Sequence, residues 1–175
     1  GQNGLWGMGD HTRPVSGFEL MMQIPLIFRH PGVIPAGRTS DLIVSNYDFM
    51  PTVLSHLGLG DKMPREPESP GRDFSPVLRG EPIEWENVMF YEFETLRAVR
   101  NEQWKYVARH PNGPFELYDM QADPQERVNL YGQPGMEGIC EDVAGRLTRF
   151  FDRYADPQYD IWREGRSKAR RFTEP

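Results

Sequence analysis

Four short apolar segments, residues 88–93, 96–100, 104–109 and 115–119, follow one another with almost no chain between them. Asn101-Glu102 joins the second to the third, and Pro111-Asn112-Gly113-Pro114 joins the third to the fourth. A parallel pair of strands needs a crossover of roughly a dozen residues or more. Neighbours joined this closely are therefore antiparallel, and the stretch is predicted to be a β-meander. No other feature of the chain restricts its topology as strongly.

A meander needs cover on at least one face. Met136, Ile139, Cys140, Val143, Leu147, Phe150, Phe151 and Tyr154 form a stripe, with offsets of three, four, seven and eleven from the first. That is the spacing of a long amphipathic helix, which is expected to lie across one face of the meander and bury it. Cys140 falls on the stripe and reads as a core residue; as the single cysteine it forms no intrachain disulfide. Residues 122–126 are predicted to turn, with Asp123-Pro124 starting the turn and Asn129 capping it, and Tyr118-Asp119 reads as structural.

Upstream, the opening GQNGLWGMGDHTRP places four glycines, a Trp, a His and an Arg within residues 1–14. Glycine at that density belongs to backbone that turns tightly or approaches something closely, as a site loop does. Residues 16–22 are predicted to form a short helix. Residues 24–29, IPLIFR, read as a buried strand closed by a turn at His30-Pro31-Gly32, with Pro25 at its start or on an edge. Residues 48–57 carry Phe49, Met50, Val53, Leu54 and Leu57 on one helical face, with Asn46 or Asp48 as N-cap, Pro51 in the first turn and Gly58 at the end. Residues 61–73 read as a surface excursion, 74–78 as a helical turn and 81–86 as a second connector. The expected division is 1–86, then an antiparallel subdomain with its helix over 87–155, then a basic, solvated tail over 156–175.

Composition excludes some classes. A net charge of −6 and a pI near 5.3 argue against a general nucleic-acid binder, which needs cationic surface to neutralise phosphates. No apolar run approaches the ~20 residues of a membrane-spanning helix. With 38% hydrophobic residues, 17 glycines and 16 prolines, the chain is loop-rich and globular.

Four segments in order carry a resemblance. GLWGMG, a short helix and IPLIFRHPGVIPAG are similar to a stretch of the sulfatases of the alkaline-phosphatase-like superfamily. There the pattern runs His-Gly-x-Trp-Gly-Lys-Gly, a helix, then x-Val-Pro-Leu-Ile-x-x-x-Pro-Gly. SDLIVSNYDFMPTVLSHLGL resembles the family's Asp-x-x-Pro-Thr-x-Leu helix, and GRDFSPVLRGE its Gly-x-Ser-Leu-x-Pro-Leu-Leu-x-Gly turn. LRAVRNEQWKYV and ELYDMQADPQERVNL resemble the C-terminal subdomain's Arg-x-Val-Arg-x-x-x-Tyr-Lys-Tyr and Glu-Leu-Tyr-Asp-x-x-x-Asp-Pro-x-Glu-x-x-Asn-Leu. Together they cover about residues 1–130.

The resemblance implies the C-terminal end of an alkaline-phosphatase-like α/β domain followed by a small antiparallel subdomain, an α/β plus α+β architecture. It implies a parent enzyme that hydrolyses sulfate esters with a formylglycine nucleophile and a divalent cation, usually calcium. The formylglycine motif Cys/Ser-x-Pro-x-Arg is absent here, and Gly9-Asp10-His11 follows the Trp-Gly element where the family's metal motif precedes it. Nucleophile and metal ligands are therefore expected in an upstream part of the same chain, with no metal ligand in this one, and this chain alone is expected to be inactive. The implied partner is a sulfated small molecule or sulfated carbohydrate.

Candidate pocket residues follow from the same register. Met8 stands where the family has a Lys that contacts the sulfate or leaving-group oxygen, and it brings neither charge nor donor. Asn3 stands where a His is common and still donates a hydrogen bond. His11 and Arg13 lie just beyond; either they supply the missing donors, Arg13 through a planar fork suited to an oxyanion, or they are surface residues. Glu19 reads as a structural carboxylate. Glu94, Arg97 and Arg100 are substrate-side candidates in the meander, or else exposed charges paired across strands. His30, His56 and His110 read as structural or surface histidines. Two alternatives stay open: a pseudo-sulfatase or anion- or carbohydrate-binding module without catalysis, and a phosphoesterase of the same superfamily.

Overall fold

The computed structural model describes residues 17–93 and 95–166. They form two compact units: residues 17–24 with those from Phe90 onward, and Pro25–Met89.

The first unit is built on the meander. Strands β1 (Val88–Phe93), β2 (Leu96–Asn101), β3 (Trp104–Arg109) and β4 (Glu116–Asp119) make one four-stranded sheet in the order β1-β2-β3-β4. β2 pairs antiparallel with β3, Val99 opposite Tyr106, and β3 antiparallel with β4, Tyr106 opposite Leu117. The short connections predicted this. Asn101 closes the β2–β3 turn by accepting the Gln103 and Trp104 amides at 3.0 and 2.7 Å.

The predicted helix is α4 (Glu137–Tyr154), which packs on β2 and β3 and buries Val143, Leu147 and Phe151. Burying each such side chain is worth about 1.5–3 kcal/mol. Phe150 stacks on Phe90 of β1 with centroids 3.9 Å apart. Cys140 is a free, half-buried thiol on this helix, and burial pushes its pKa up.

Both faces of the sheet are covered, where cover was expected on one. Period-two alternation puts Val99, Tyr106 and Arg97 on the α4 face, and Leu96, Ala98, Val107, Arg100 and Lys105 on the other. Leu96, Ala98 and Val107 form a buried cluster there. The cover on that side comes from residues 17–22, including α1 (Glu19–Met22). A Cβ at Gly17 would stand 3.1 Å from Val107 Cγ2 and 3.6 Å from Leu96 Cδ1, so the chain passes close over the cluster. Residues 17–24 therefore belong with the sheet, not with the unit to which the expected boundary at 86 assigned them.

The start of the expected tail also differs. Asp160 is buried, pairs with Arg97 Nη2 at 2.8 Å and caps the 3-10 turn Ile161–Arg163 by accepting the Trp162 amide. Residues 158–166 are closed by backbone hydrogen bonds, Gly165 N to Asp160 O at 2.8 Å among them. A solvated terminus does not bury a carboxylate, and Asp160 does so because Arg97 compensates it.

In the second unit, α2 (Asn46–His56) starts two residues earlier than predicted, with Ser45 as N-cap and Asp48 as its reciprocal partner in a capping box. Pro51 therefore lies inside the helix and withholds an N–H from Tyr47 O. The buried residues of α2 are Asp48 and Thr52, while Phe49, Met50 and Leu57 of the predicted apolar face are half or more exposed among the described residues. Residues 24–29 do not form the predicted buried strand: Ile24, Leu26 and Ile27 are exposed, Ile27 by 84%. A strand needs a partner's ladder, and the only sheet among the described residues is the meander. The rest of the unit is a 3-10 turn (Gly60–Lys62), the proline-rich excursion and α3 (Ser75–Leu78), at the predicted place.

Candidate functional site

Of the predicted site residues, Asn3, Met8, His11, Arg13 and Glu94 lie outside the described residues. Arg97 and Arg100 lie within them, and the fold parts the two. Three positions apart on one strand, they face opposite sides of the sheet. Arg97, 6% exposed, is clamped on the α4 face. Its guanidinium reaches Glu92 Oε2 and Asp160 Oδ1, each at 2.8 Å, and lies 4.0 Å over the Phe151 ring.

Arg100 points to the other face and into a charge cluster. Its Nε donates to Glu19 Oε1 at 3.1 Å, and its Nη1 donates to Asn101 O at 2.7 Å. The second Glu19 oxygen lies 3.4 Å from Lys105 Nζ, which in turn lies 2.6 Å from Glu126 Oε1. Glu126 Oε2 accepts the backbone amide of Glu19 at 2.6 Å. Two carboxylates and two cations thus balance formally around a fully buried Lys105. Glu126 reaches this place from a left-handed backbone (φ 56°), a conformation that costs a non-glycine residue roughly 1 kcal/mol.

The chain around Glu126 explains how it is held. Asp123 Oδ2 accepts the Arg127 and Val128 amides at 2.6 and 2.8 Å. Asp119 Oδ1 accepts the Gln121 and Ala122 amides, and the Ala122 bond leads in holding the Asp119 carboxyl below its usual pKa. Asn129 clips the far side, accepting from Leu117 N and Tyr131 N at 2.9 Å and donating to Phe115 O at 3.0 Å. The predicted turn and cap are present, and their product is an aimed carboxylate.

The cluster gathers on α1, the first described helix of the chain. Glu19 ties that element to β2, β3 and the 122–130 turn at once. The structural reading of Glu19 holds, and the anchoring role of Lys105 and Glu126 was missed. One signal was available: a Lys between Trp104 and Tyr106 in an otherwise apolar strand demands a carboxylate partner.

A second junction lies in the Pro25–Met89 unit. The buried Asp48 accepts the Arg72 amide at 2.8 Å, and Thr52 Oγ1 accepts the Phe74 amide at 3.1 Å. Arg72 stacks 3.8 Å over the Trp85 ring and donates to Glu86 O and Val88 O. Gly71 is obligatory here, because a Cβ would overlap Tyr47 O. Burial alone would raise the Asp73 pKa, but hydrogen bonds from Ser55 and Ser75 outweigh it and bring the carboxyl below its usual range.

A calcium ion takes about six to eight oxygen ligands. Among the described residues no three His, Cys, Asp or Glu side chains converge as such a cation would require. No helix among them is long and apolar enough to cross a membrane.

The fold matches that of a phosphonate monoester hydrolase from Silicibacter pomeroyi, with a TM-score of 0.62 over 76% of this chain and 29% of that one, at 22% identity. Residues 16–153 match the model of the N-sulphoglucosamine sulphohydrolase C-terminal family, and the chain belongs to that sulfatase family. It is 32% identical over 156 residues to an N-acetylglucosamine-6-O-sulfatase of Bacteroides thetaiotaomicron, covering 82% of this chain and 27% of the relative. It also resembles a protein solved in complex with its substrate D-glucosamine-2-N,6-O-disulfate, at 26% identity and a TM-score of 0.60, over 75% of this chain and 29% of that one. The chain thus spans about a quarter to a third of the length of these relatives.

Proposed function

We propose that the protein carrying this chain hydrolyses sulfate esters of a carbohydrate, and that this chain supplies its C-terminal part. The nucleophile, a formylglycine, and the calcium or other divalent cation belong to sequence upstream of Gly1. The observation that carries the reading is that the motif residues meet in space. Lys105 of one motif pairs with Glu126 of the next, and Asp48 and Thr52 of a third hold Arg72 and Phe74 of the fourth. A sugar sulfate is favoured because two of the relatives named above are an N-acetylglucosamine-6-O-sulfatase and a protein solved with a disulfated glucosamine as its substrate.

In this reading the glycine loop is the substrate-side element. Asn3, His11 and Arg13 supply donors to the sulfate oxygens, where preorganised donors stabilise the charge that develops. Glu94 and Arg100 lie on the leaving-group side, and Arg97 orders the sheet. Glu19, Arg100, Lys105 and Glu126 tie α1, which follows the glycine-rich stretch in sequence, to the sheet.

Met8 favours a second reading, in which the anion pocket persists without catalysis, because a thioether cannot replace the family's Lys as a charged donor. The test is to assay the intact protein, with its upstream sequence, on 4-nitrophenyl sulfate and on glucosamine 6-sulfate beside the Met8→Lys variant. Activity in the parent supports the sulfatase reading with other donors in place of the Lys. A silent parent rescued by Met8→Lys means machinery retired at one position. Silence in both overturns the hydrolase reading, and activity on 4-nitrophenyl phosphate alone moves it to phosphoesters.

A further inference from the structure

We propose that His30 and His56 form a two-imidazole site for a divalent transition cation, with Cu2+ and Ni2+ as its best-fitting occupants. The two side chains come from positions 26 apart in sequence and meet with His30 Nδ1 2.9 Å from His56 Nε2. Their rings stand edge to face, 74° apart with centroids separated by 5.1 Å. Metal–imidazole bonds are about 2.0–2.1 Å long. Two nitrogens on adjacent corners of a square or octahedron are therefore about 2.9 Å apart, whereas tetrahedral ligands are about 3.3 Å apart. The separation of 2.9 Å is that of a hydrogen bond between the two rings and equally that of a right-angled ligand pair, the arrangement Cu2+ and Ni2+ prefer, and copper leads the affinity order for nitrogen sites.

Both ligands stand on fixed backbone. His30 opens a turn in which its carbonyl accepts Val33 N at 3.1 Å and Ile34 N at 2.8 Å, with Pro31 and a left-handed Gly32 (φ 81°) completing it. His56 is the last residue of α2, whose end is closed by Leu57 N to Val53 O, Gly58 N to Ser55 O and Leu59 N to Leu54 O. Little chain entropy remains to be lost when a cation bridges the rings. Among the described residues His30 is exposed and His56 half-buried, so nothing described covers the pair. No third His, Cys, Asp or Glu joins them among the described residues, so water completes the coordination.

Without metal the pair shares one N–H···N hydrogen bond. Binding needs both near nitrogens as lone-pair donors. The ring that was donating moves its proton through solvent to its far nitrogen, and the other ring already carries its own there. The proton count is unchanged, and no bond to carbon is made or broken. The inference does not rest on the sulfatase reading.

The test is a titration of the intact, untagged protein with Cu2+ alone, by calorimetry and electron paramagnetic resonance. It is run beside His30→Ala, His56→Ala and His30→Gln. The wild type is expected to bind one equivalent whose spectrum reports two equatorial nitrogens. Each alanine variant should weaken that equivalent at least tenfold and leave one nitrogen. His30→Gln keeps a hydrogen-bonding side chain; loss of the equivalent with an unchanged metal-free melting point separates ligation from folding. Difference titrations against the wild type cancel any other metal site. Equal stoichiometry and affinity in wild type and variants would overturn the proposal, as would a wild-type spectrum with fewer than two nitrogens.

Discussion

Replacing Lys105 by Met keeps most of the side chain's volume and removes its charge from a site with no solvent access. At 2.6 Å from Glu126 Oε1, the ammonium contributes about 6 kcal/mol of Coulomb attraction at an effective dielectric constant of about 20. Desolvating the two ions cancels much of that, so the pair's net worth is small. Deleting one member is different, because Glu126 stays buried, with Glu19 beside it, and only Arg100 remains to balance the two carboxylates. Breaking a buried pair this way costs about 3–5 kcal/mol. The assay is urea unfolding of the intact protein, followed locally by hydrogen exchange of the β2 and β3 amides. In the double variant Lys105→Met/Glu126→Gln the orphaned charge is gone, and less than half the loss should remain. A single-variant cost below about 1 kcal/mol, or a double variant as unstable as the sum of the singles, would refute the account.

Gly71→Ala should cost about 2–4 kcal/mol in the Pro25–Met89 unit, because its Cβ overlaps the Tyr47 carbonyl, and limited proteolysis should cut residues 61–73 faster. Asp160→Ala removes the buried partner of Arg97 and the cap of Trp162 and should lose about 2–4 kcal/mol; unchanged protection of the α4 amides would count against it. Burial pushes the Tyr106 phenol up to about 12 from an ordinary value of 10. A raised folded pKa contributes stability that is complete below pH 10 and is lost as pH rises toward 12. Stability should therefore fall by about 2–3 kcal/mol across that window, and Tyr106→Phe should flatten the fall.

Local information made much of the fold legible. Connections of two and four residues permit only antiparallel neighbours, and the stripe from Met136 to Tyr154 has one helical period, so the meander and α4 follow from chain geometry. The 122–130 turn was equally readable, because Asp before Pro and Asn129 bond to backbone only a few positions away. Period-two alternation also parts Arg97 from Arg100 and needed no coordinates.

What tertiary structure alone decided is where buried charge finds its compensation. Glu19 meets Arg100 81 positions away and Lys105 86 away, and Arg97 meets Asp160 63 away. Nothing local encodes such pairs, because the free energy of a buried ion depends on the partner that the fold delivers. The same reason misplaced residues 24–29 and the first residues of the expected tail. An apolar run becomes a strand only beside another strand, and a terminal segment packs only where a buried cation awaits its carboxylate.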